Sequence, residues 1–481
     1  MSRAVTRVVL AVSLVATSFS LPVLAAHASA GGVDVQALID AAGPGSTVEV
    51  PAGVHAGAVT IDHPIHLLGV PGATLDGQGV GSVVTVDAPD VEISGLTIVG
   101  SGRVQVGSPS GVLLTKRADR AYVHDVAVRR SYIGVTVQRA ERVVLERVSV
   151  VGDGIISGEL HATGTAGQGV GDGDGPTLLR GDGIWLFNTP YATVRDCVID
   201  TVRDGIYLSF GHGQVLQGNE IIDSRYAVHD MYATELTIDA NRLHGNLSGL
   251  VMMYGGPVTI SGNTITDSGS ASTGFGVIVK DVGGATLAGN VFADNRIGLD
   301  VDDAGRTSGG STLVQGNTIA LNQVGVLLAP SADPTFSQNA FIENTTQVVL
   351  NGTGETQAAW GLDDVGNYWS DYGGFDARGD GTGDVPYTRS GRTAQLIAAN
   401  PLLLALASGP AFRLLMSVED RWGATRPTVE DRHPLTDMSA PAVSDAAQAP
   451  SAPLWIPGAL MMGLGAWALR GARRRGGVVH A

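Results

Sequence analysis

One histidine and two methionines have the residue types and the spacing to bind a soft metal ion. His229 and Met231 are two residues apart, and Met253 follows Met231 by 22 residues, with Met252 directly before it. An imidazole and two thioethers form a soft ligand set that suits Cu(I) and does not suit Mg²⁺ or Ca²⁺. Methionine next to tyrosine is also typical of a surface that docks a partner protein. Residue types alone leave both interpretations open.

A second group of residues would suit acid–base chemistry on a polysaccharide. His212 lies in a Gly-His-Gly motif, and Lys280, Asp300 and Asp302 fall close together in the repeat described below. Two carboxylic acids and a base can cleave a glycosidic bond when they converge. Pro190 stands where such an enzyme needs an aspartate, however. A polysaccharide hydrolase, lyase or epimerase is therefore an alternative prediction with an incomplete residue set.

Aspartates alternate with glycines near residue 380. Asp376, Asp380 and Asp384 have the spacing of a calcium-binding loop. Arg378 occupies a position where a further ligand is expected. The alternative prediction is a structural turn that closes the last repeat.

The elements that position these side chains follow from a repeat of 22 residues. Apolar residues alternate behind a glycine or alanine that heads each repeat, which indicates a short strand with one inward face. An asparagine recurs at the same period, and two repeats are longer by five residues. We predict an all-β chain folded as a right-handed parallel β-helix with coils of about 22 residues. The asparagine column comprises Asn219, Asn241, Asn263, Asn290, Asn317 and Asn339, with the single cysteine, Cys197, at its head as a small buried substitute.

In this frame the second and fourth positions of each repeat point outward. His229, Met231 and Met253 therefore share one outer face, whereas Met252 is in phase with the interior. Aromatic residues occupy this face or its edge in neighbouring coils, and we predict that they bind a partner protein. They are Trp185, Phe187, Tyr207, Tyr232 and Tyr254.

The two ends of the chain predict an extracytoplasmic location. A basic start, an apolar run and an Ala-Ser-Ala cleavage signature predict a signal peptide over residues 1–30. An uncharged apolar stretch followed by arginines predicts a membrane anchor, with a processed sorting signal as the alternative. The predicted order is a β-helix over 31–390 with a helical cap at Val35–Ala42, a helical capping segment at 391–438, a linker at 439–453, the anchor at 454–469 and a basic tail at 470–481.

Charge and cysteine content exclude several classes of protein. The chain has 46 acidic and 30 basic residues, and this excess of negative charge argues against a surface that binds nucleic acid. One cysteine cannot form an intrachain disulfide or a zinc site of several thiolates. The chain also lacks a nucleotide-binding glycine loop followed by Lys-Ser/Thr, so any ATP hydrolysis is expected in a separate subunit.

Several motifs together resemble the NosD-type maturation proteins of nitrous oxide reductase. They are the stretch 228–232 with its counterpart 252–254 one coil later, the block 366–387 (GNYWSDYGGFDARGDGTGDVPY), the Asn-Pro-Leu at 400–402 and the Asp-Arg-His-Pro-Leu at 431–435. The resemblance implies an accessory protein that is not an enzyme. It implies an extracytoplasmic component of a complex with an ABC-type ATPase and a permease, which acts with a copper-carrier lipoprotein on apo nitrous oxide reductase.

Carried onto this chain, the resemblance implies that one face handles copper. His229, Met231 and Met253 would contact Cu(I) or its carrier, with Met252 behind them and Tyr232 and Tyr254 at the edge.

Overall fold

The computed structural model describes residues 32–103, 107–152, 181–270, 273–302, 310–330, 332–352, 356–389, 414 and 428–438. The predicted signal peptide, linker, membrane anchor and basic tail lie outside these residues, as does most of the predicted helical segment. Within the described residues, no helix has the length and apolar character needed to cross a membrane.

A short helix precedes the first strand. Helix α1 (Val35–Ala41) begins behind Asp34, whose side chain accepts a hydrogen bond from the backbone N–H of Ala37 at 3.0 Å. This cap satisfies one of the free N–H groups at the helix start. Val35 and Ile39 are buried against the first coil. The predicted helical cap over the N-terminal end is confirmed.

The strands form three long parallel sheets that share one interior. The first sheet contains β1 (Thr47–Val50), β4 (His66–Gly69), β7 (Glu92–Ser94), β10 (Tyr122–His124), β13 (Val144–Glu146), β16 (Thr193–Arg195), β19 (Val215–Gln217), β22 (Leu236–Asp239), β25 (Val258–Ser261), β28 (Ala285–Ala288), β31 (Leu313–Gln315) and β34 (Thr335–Ser337). The second sheet contains β2 (Gly53–Ala56), β5 (Ala73–Asp76), β8 (Thr97–Val99), β11 (Ala127–Arg129), β14 (Ser149–Val151), β17 (Val198–Asp200), β20 (Glu220–Ile222), β23 (Arg242–His244), β26 (Thr264–Thr266), β29 (Val291–Ala293), β32 (Thr318–Ala320), β35 (Ala340–Ile342) and β37 (Tyr368–Trp369).

The third sheet carries the candidate site. It contains β3 (Val59–Ile61), β6 (Val84–Val86), β9 (Ser110–Leu114), β12 (Ile133–Gln138), β15 (Ile184–Phe187), β18 (Asp204–Ser209), β21 (Tyr226–Met231), β24 (Ser248–Met253), β27 (Phe275–Lys280), β30 (Ile297–Asp302), β33 (Val324–Leu328) and β36 (Thr346–Leu350). A separate antiparallel pair, β38 (Tyr387–Arg389) and β39 (Val429–Asp431), follows the last coil.

Each strand pairs with the equivalent strand of the next coil, so the fold is a parallel β-helix, as predicted. His229 pairs with Val251 in the next coil, and Val251 pairs with Ile278 in a coil that is longer by five residues. The inward residues Ile206, Leu250 and Val277 are fully buried, and the core they belong to runs along the helix axis. The extra residues are therefore accommodated in a turn without a change of register.

The predicted asparagine column forms a buried hydrogen-bonded ladder. In one step, the Asn263 Oδ1 accepts hydrogen bonds from the backbone N–H and the side-chain amide of Asn241, both at 2.9 Å. The Asn263 amide donates to the carbonyls of Ile238 and Ser261 and to the next asparagine, Asn290. Since these groups are shielded from water, the ladder supplies partners that solvent cannot.

Cys197 is the head of this ladder and is fully buried. Its thiol donates to the carbonyls of Leu145 and Arg195, while its backbone N–H donates to Asn219 Oδ1. Burial raises the pKa of this thiol to about 12, so it is not a reactive nucleophile. The interpretation of Cys197 as a small substitute for asparagine is confirmed.

The other end of the ladder is closed by a residue far away in the sequence. The carboxylate of Asp431 in β39 accepts the backbone N–H of Asn367 at 2.8 Å and the indole N–H of Trp369 at 2.9 Å. Trp369 stacks between Phe341 and Tyr387. The motifs around residues 366 and 431 therefore meet and cover the last coil.

Candidate functional site

The predicted outer face exists on three neighbouring strands of the third sheet, β18, β21 and β24. Tyr207 pairs with His229, and Met231 pairs with Met253. Because coils are about 4.8 Å apart, Met231 and Met253 are neighbours in adjacent coils, and His229 lies on the same face of β21 as Met231. The structure thus brings the three predicted copper ligands onto one face.

His229 is held by a buried ion pair beneath it. Its Nδ1 lies 3.0 Å from Oδ2 of Asp204, which is 1% exposed and also accepts two hydrogen bonds from Arg225. Burial would raise the pKa of Asp204, but the charge of Arg225 and the hydrogen bond with His229 outweigh it, so this pKa lies below its usual value. The His229 ring stacks on Tyr207 and meets the edge of Tyr226. Its orientation is therefore fixed from three sides.

The two outward methionines are half-buried. The Tyr207 hydroxyl donates to the sulfur of Met231 at 3.7 Å, which orients that thioether and leaves it a second lone pair. Met252 does not join this set. Its side chain is fully buried in the β-helix interior, since successive residues of a strand point to opposite faces. The assignment of Met252 to the metal-binding group is therefore wrong.

Asp230 is a buried carboxylic acid inside the β-helix, on the opposite side of the strand from His229 and Met231. It is 2% exposed, and its Oδ1 accepts the backbone N–H of Ala233 at 3.1 Å. This bond holds the turn that carries Met231 and Tyr232. Desolvation raises the pKa of Asp230 to about 7.

Replacing Asp230 with asparagine is expected to stabilise the protein at alkaline pH. The buried acid binds a proton more tightly than in the unfolded chain, so wild-type stability falls as the pH rises from about 4 to about 7. Asparagine keeps an acceptor for Ala233 and carries no charge. We expect a gain of about 2–4 kcal/mol at about pH 8 that disappears near pH 4. Urea unfolding of both proteins across this range checks the prediction, and a gain that does not depend on pH contradicts it.

Three exposed aromatic residues line the edge of this face in a strained conformation. Phe210, Tyr232 and Tyr254 follow the ends of β18, β21 and β24, and their φ angles are 57°, 67° and 62°. The flanking coils place Asn188 and Asp281 at the same corner. Asparagine and aspartate tolerate this left-handed region, whereas a bulky residue there costs about 1–3 kcal/mol.

These rings stack along the axis, at 5.1 Å between Phe210 and Tyr232 and 5.3 Å between Tyr232 and Tyr254. They are 54%, 43% and 37% exposed, in chain order. We name Phe210, Tyr232 and Tyr254 the aromatic corner. The turn imposes the positive φ at this corner in each of these coils, but it does not require a large exposed ring there, so the residue type indicates a role beyond folding.

The other predicted aromatic residues continue the face toward the N-terminus. The rings of Trp185 and Tyr207 are nearly parallel, with their centroids 6.3 Å apart, and Phe187 lies beside Trp185. All three are half-buried. Phe187 also meets the edge of Phe210 at 6.4 Å, which joins this group to the aromatic corner.

Sequence reasoning missed Asp204, Arg225 and Phe210. A signal for the first two existed, because Asp182 and Arg203 precede them by 22 residues and form the same ion pair one coil earlier. Phe210 directly precedes the Gly-His-Gly motif. Its position directly before Tyr232 and Tyr254 in the 22-residue frame would have revealed it.

The residues proposed for acid–base chemistry do not converge. Lys280 and Asp302 form an ion pair at 2.7 Å, and Asp300 is next to them in the sheet. Desolvation, with a smaller contribution from Asp302, raises the pKa of Asp300 to about 7. His212 contacts Thr234 and Glu235 instead. It lies four coils from Asp300 and Asp302, or roughly 19 Å along the axis.

The aspartates of the predicted calcium loop have other partners. Asp376 accepts the backbone N–H groups of Gly379 and Gly381, and Arg378 pairs with Asp384 at 2.9 Å. Across the described residues, no group of three or more His, Cys, Asp or Glu side chains is placed to hold a metal ion. The arrangement fits the alternative prediction, a structural turn.

The solved structures that are similar to this chain are distant. The A-module of a mannuronan C-5 epimerase from Azotobacter vinelandii is 18% identical and has a TM-score of 0.49, with 70% of this chain and 93% of that module covered. An exopolygalacturonase from Yersinia enterocolitica is 13% identical and has a TM-score of 0.40, with coverage of 70% and 73%.

Comparison with protein families and curated proteins gives a consistent assignment. Residues 163–374 match a family model described as "Periplasmic copper-binding protein (NosD)". A "Probable ABC transporter binding protein NosD" from Stutzerimonas stutzeri is 30% identical over 404 residues, which cover 81% of this chain and 86% of the relative. Its namesake from Pseudomonas aeruginosa is 29% identical over 400 residues, with coverage of 81% and 88%. The chain therefore belongs to the NosD family of periplasmic copper-binding proteins.

Proposed function

We propose that this protein is the extracytoplasmic scaffold of an ABC-type complex that assists copper-site assembly in nitrous oxide reductase. Its partners would be an ATPase, a permease, a copper-carrier lipoprotein and the apo reductase, with the C-terminal segment 454–469 as membrane anchor. The relatives named as ABC transporter binding proteins support the first two partners. ATP hydrolysis belongs to the separate ATPase subunit, and this chain contributes binding.

One observation carries the proposal: a soft ligand set and the aromatic corner adjoin on one outer face. His229, Met231 and Met253 offer one imidazole and two thioethers, which are ligands that Cu(I) prefers. The three ligands are half-buried. Such a small, accessible ligand set suits a Cu(I) ion that is bound transiently and transferred. We propose that Cu(I), delivered by the carrier, is contacted by these three side chains while the carrier docks on the aromatic corner.

The proposal has a weaker form in which the face docks the carrier and the ion stays with the carrier. The aromatic corner favours this form specifically, because its three rings are exposed and stack on one another at the edge of the face. The two forms differ in whether the isolated protein binds copper, and they share the same surface.

Copper binding by the purified full mature chain tests the stronger form. We expect Cu(I) to be captured in anaerobic competition with a colorimetric chelator, and we expect replacement of His229 by alanine and of Met231 and Met253 by leucine to abolish capture. Met252→Leu is the matched control, because this interior methionine has the same chemistry and does not reach the face. Capture that survives in the triple variant contradicts direct binding.

Partner capture tests the docking surface. Replacing Phe210, Tyr232 and Tyr254 with asparagine is expected to weaken binding of the copper carrier by at least tenfold, since exposed aromatic anchors dominate many interfaces. The same change should leave the stability of the protein equal or higher, because asparagine tolerates a positive φ. Titration of the immobilised chain with carrier, beside a thermal unfolding curve, measures both. Unchanged carrier affinity would refute the assignment of the aromatic corner.

A further inference from the structure

The repeated ion pairs beneath the site differ in one respect. Asp182 with Arg203 and Asp204 with Arg225 occupy equivalent positions 22 residues apart, and each arginine donates two hydrogen bonds to its aspartate. Tyr207 stands in the first coil where His229 stands in the second. Only the second pair is therefore in contact with an imidazole.

The contact with Asp204 determines which nitrogen of His229 carries the proton. A carboxylate held by a guanidinium only accepts hydrogen bonds, so the Nδ1 at 3.0 Å must be the donor. A neutral imidazole has one N–H, which leaves Nε2 with a free lone pair. Within the described chain, Nδ1 has Asp204 as its partner and Nε2 has none.

This is the arrangement that prepares a histidine to bind a metal through Nε2. A carboxylate behind the ring fixes its tautomer and limits its rotation. We infer that Asp204 is a positioning residue that presents the Nε2 of His229 as a copper ligand on the outer face, and that Arg225 keeps Asp204 in place. The inference rests on the proposed function for the metal itself, whereas the tautomer and orientation of His229 follow from the contact with Asp204.

Burial of the ion pair protects the contact between Asp204 and His229. Asp204 is 1% exposed and Arg225 is 21% exposed, so water does not compete with the imidazole for the carboxylate. Tyr226 lies under the guanidinium of Arg225 at 4.5 Å and meets the edge of the His229 ring. The ring is therefore held by the carboxylate at one side and by tyrosines around it.

The tautomer can be measured without copper. Long-range ¹H–¹⁵N spectra of the full mature chain labelled at histidine distinguish a protonated ring nitrogen from an unprotonated one, and the signal missing in His229→Ala identifies the residue. We expect Nε2 of His229 to be unprotonated in the wild-type protein. In Asp204→Asn, whose amide can donate to Nδ1, we expect the protonated nitrogen to change to Nε2.

Copper affinity gives the second readout. Loss of a carboxylate behind a metal-binding histidine lowers metal affinity by about 10- to 100-fold, so we expect this change in Asp204→Asn. Asp182→Asn is the matched control, because it disturbs the equivalent ion pair and does not touch His229. It should change neither the tautomer nor the affinity.

The outcomes separate this inference from the proposed function. An Nε2 that is protonated in the wild type, or a tautomer that Asp204→Asn leaves unchanged, overturns the inference. If the tautomer behaves as expected and the wild-type protein does not capture Cu(I), direct copper binding fails, and Asp204 is shown to orient His229 without presenting it to a metal.

Discussion

Replacing Asp431 with alanine is expected to lower the free energy of unfolding by about 3–5 kcal/mol. Asp431 is fully buried, and its carboxylate is the acceptor for the backbone N–H groups of Asn367 and His433 and for the indole of Trp369. Alanine leaves these donors without a partner and opens a cavity beside the indole. Each orphaned buried donor costs about 1–3 kcal/mol.

Unfolding in urea, followed through tryptophan fluorescence and far-UV circular dichroism, measures this loss. Trp360 and Trp369 lie at the affected end and should report unfolding before the rest of the coils. Arg432→Ala is the matched control, because that side chain is 72% exposed and its ion pair with Glu430 lies at the surface. It should change stability by less than about 0.5 kcal/mol. A loss of similar size in both variants would contradict the role of Asp431 as the end of the ladder.

Replacing Asn263 with alanine is expected to cost about 2–4 kcal/mol. Asn263 is fully buried in the middle of the asparagine ladder. Its oxygen accepts two hydrogen bonds from Asn241, and its amide donates to Ile238, Ser261 and Asn290. Alanine removes all five, and the neighbours cannot reach water. Loss of stability is expected in both halves of the chain, since the break lies between them.

Cys197→Ala provides a control within the same column. The thiol donates two weak hydrogen bonds and accepts none from the ladder, because its position is the first. Its removal should therefore cost about 1 kcal/mol or less. The midpoints of urea unfolding of the two variants give the comparison. Equal losses would mean that side-chain volume, and not the ladder of acceptors, accounts for the effect.

Much of the architecture was predictable because the 22-residue period can be read directly from the sequence. A spacing of 22 places His229 beside Val251 and Met231 beside Met253 once strands are assumed to stack in register. The same argument predicted the asparagine ladder and the role of Cys197. Two longer coils did not disturb the prediction, since the extra residues extend a turn.

The remaining contacts of the site depend on the directions of individual side chains, which the 22-residue period does not predict. Asp204 reaches His229 in the next coil across 25 residues, and Asp431 reaches Asn367 across 64. The alternation of side chains correctly predicted that Met252 points inward. Its inclusion among the predicted metal ligands followed only from its position next to Met253. The strain at Tyr232 is a backbone angle, which no residue type reveals by itself.

The asparagine ladder makes one coil chemically interchangeable with the next, because every rung passes the same pattern of donors and acceptors to its neighbour. A duplicated or deleted coil would therefore leave no mismatched hydrogen bond, and the chain would change length in whole steps of about 4.8 Å. The distance between the coils of His229 and Met253 and the closing tail would therefore change only by whole coils.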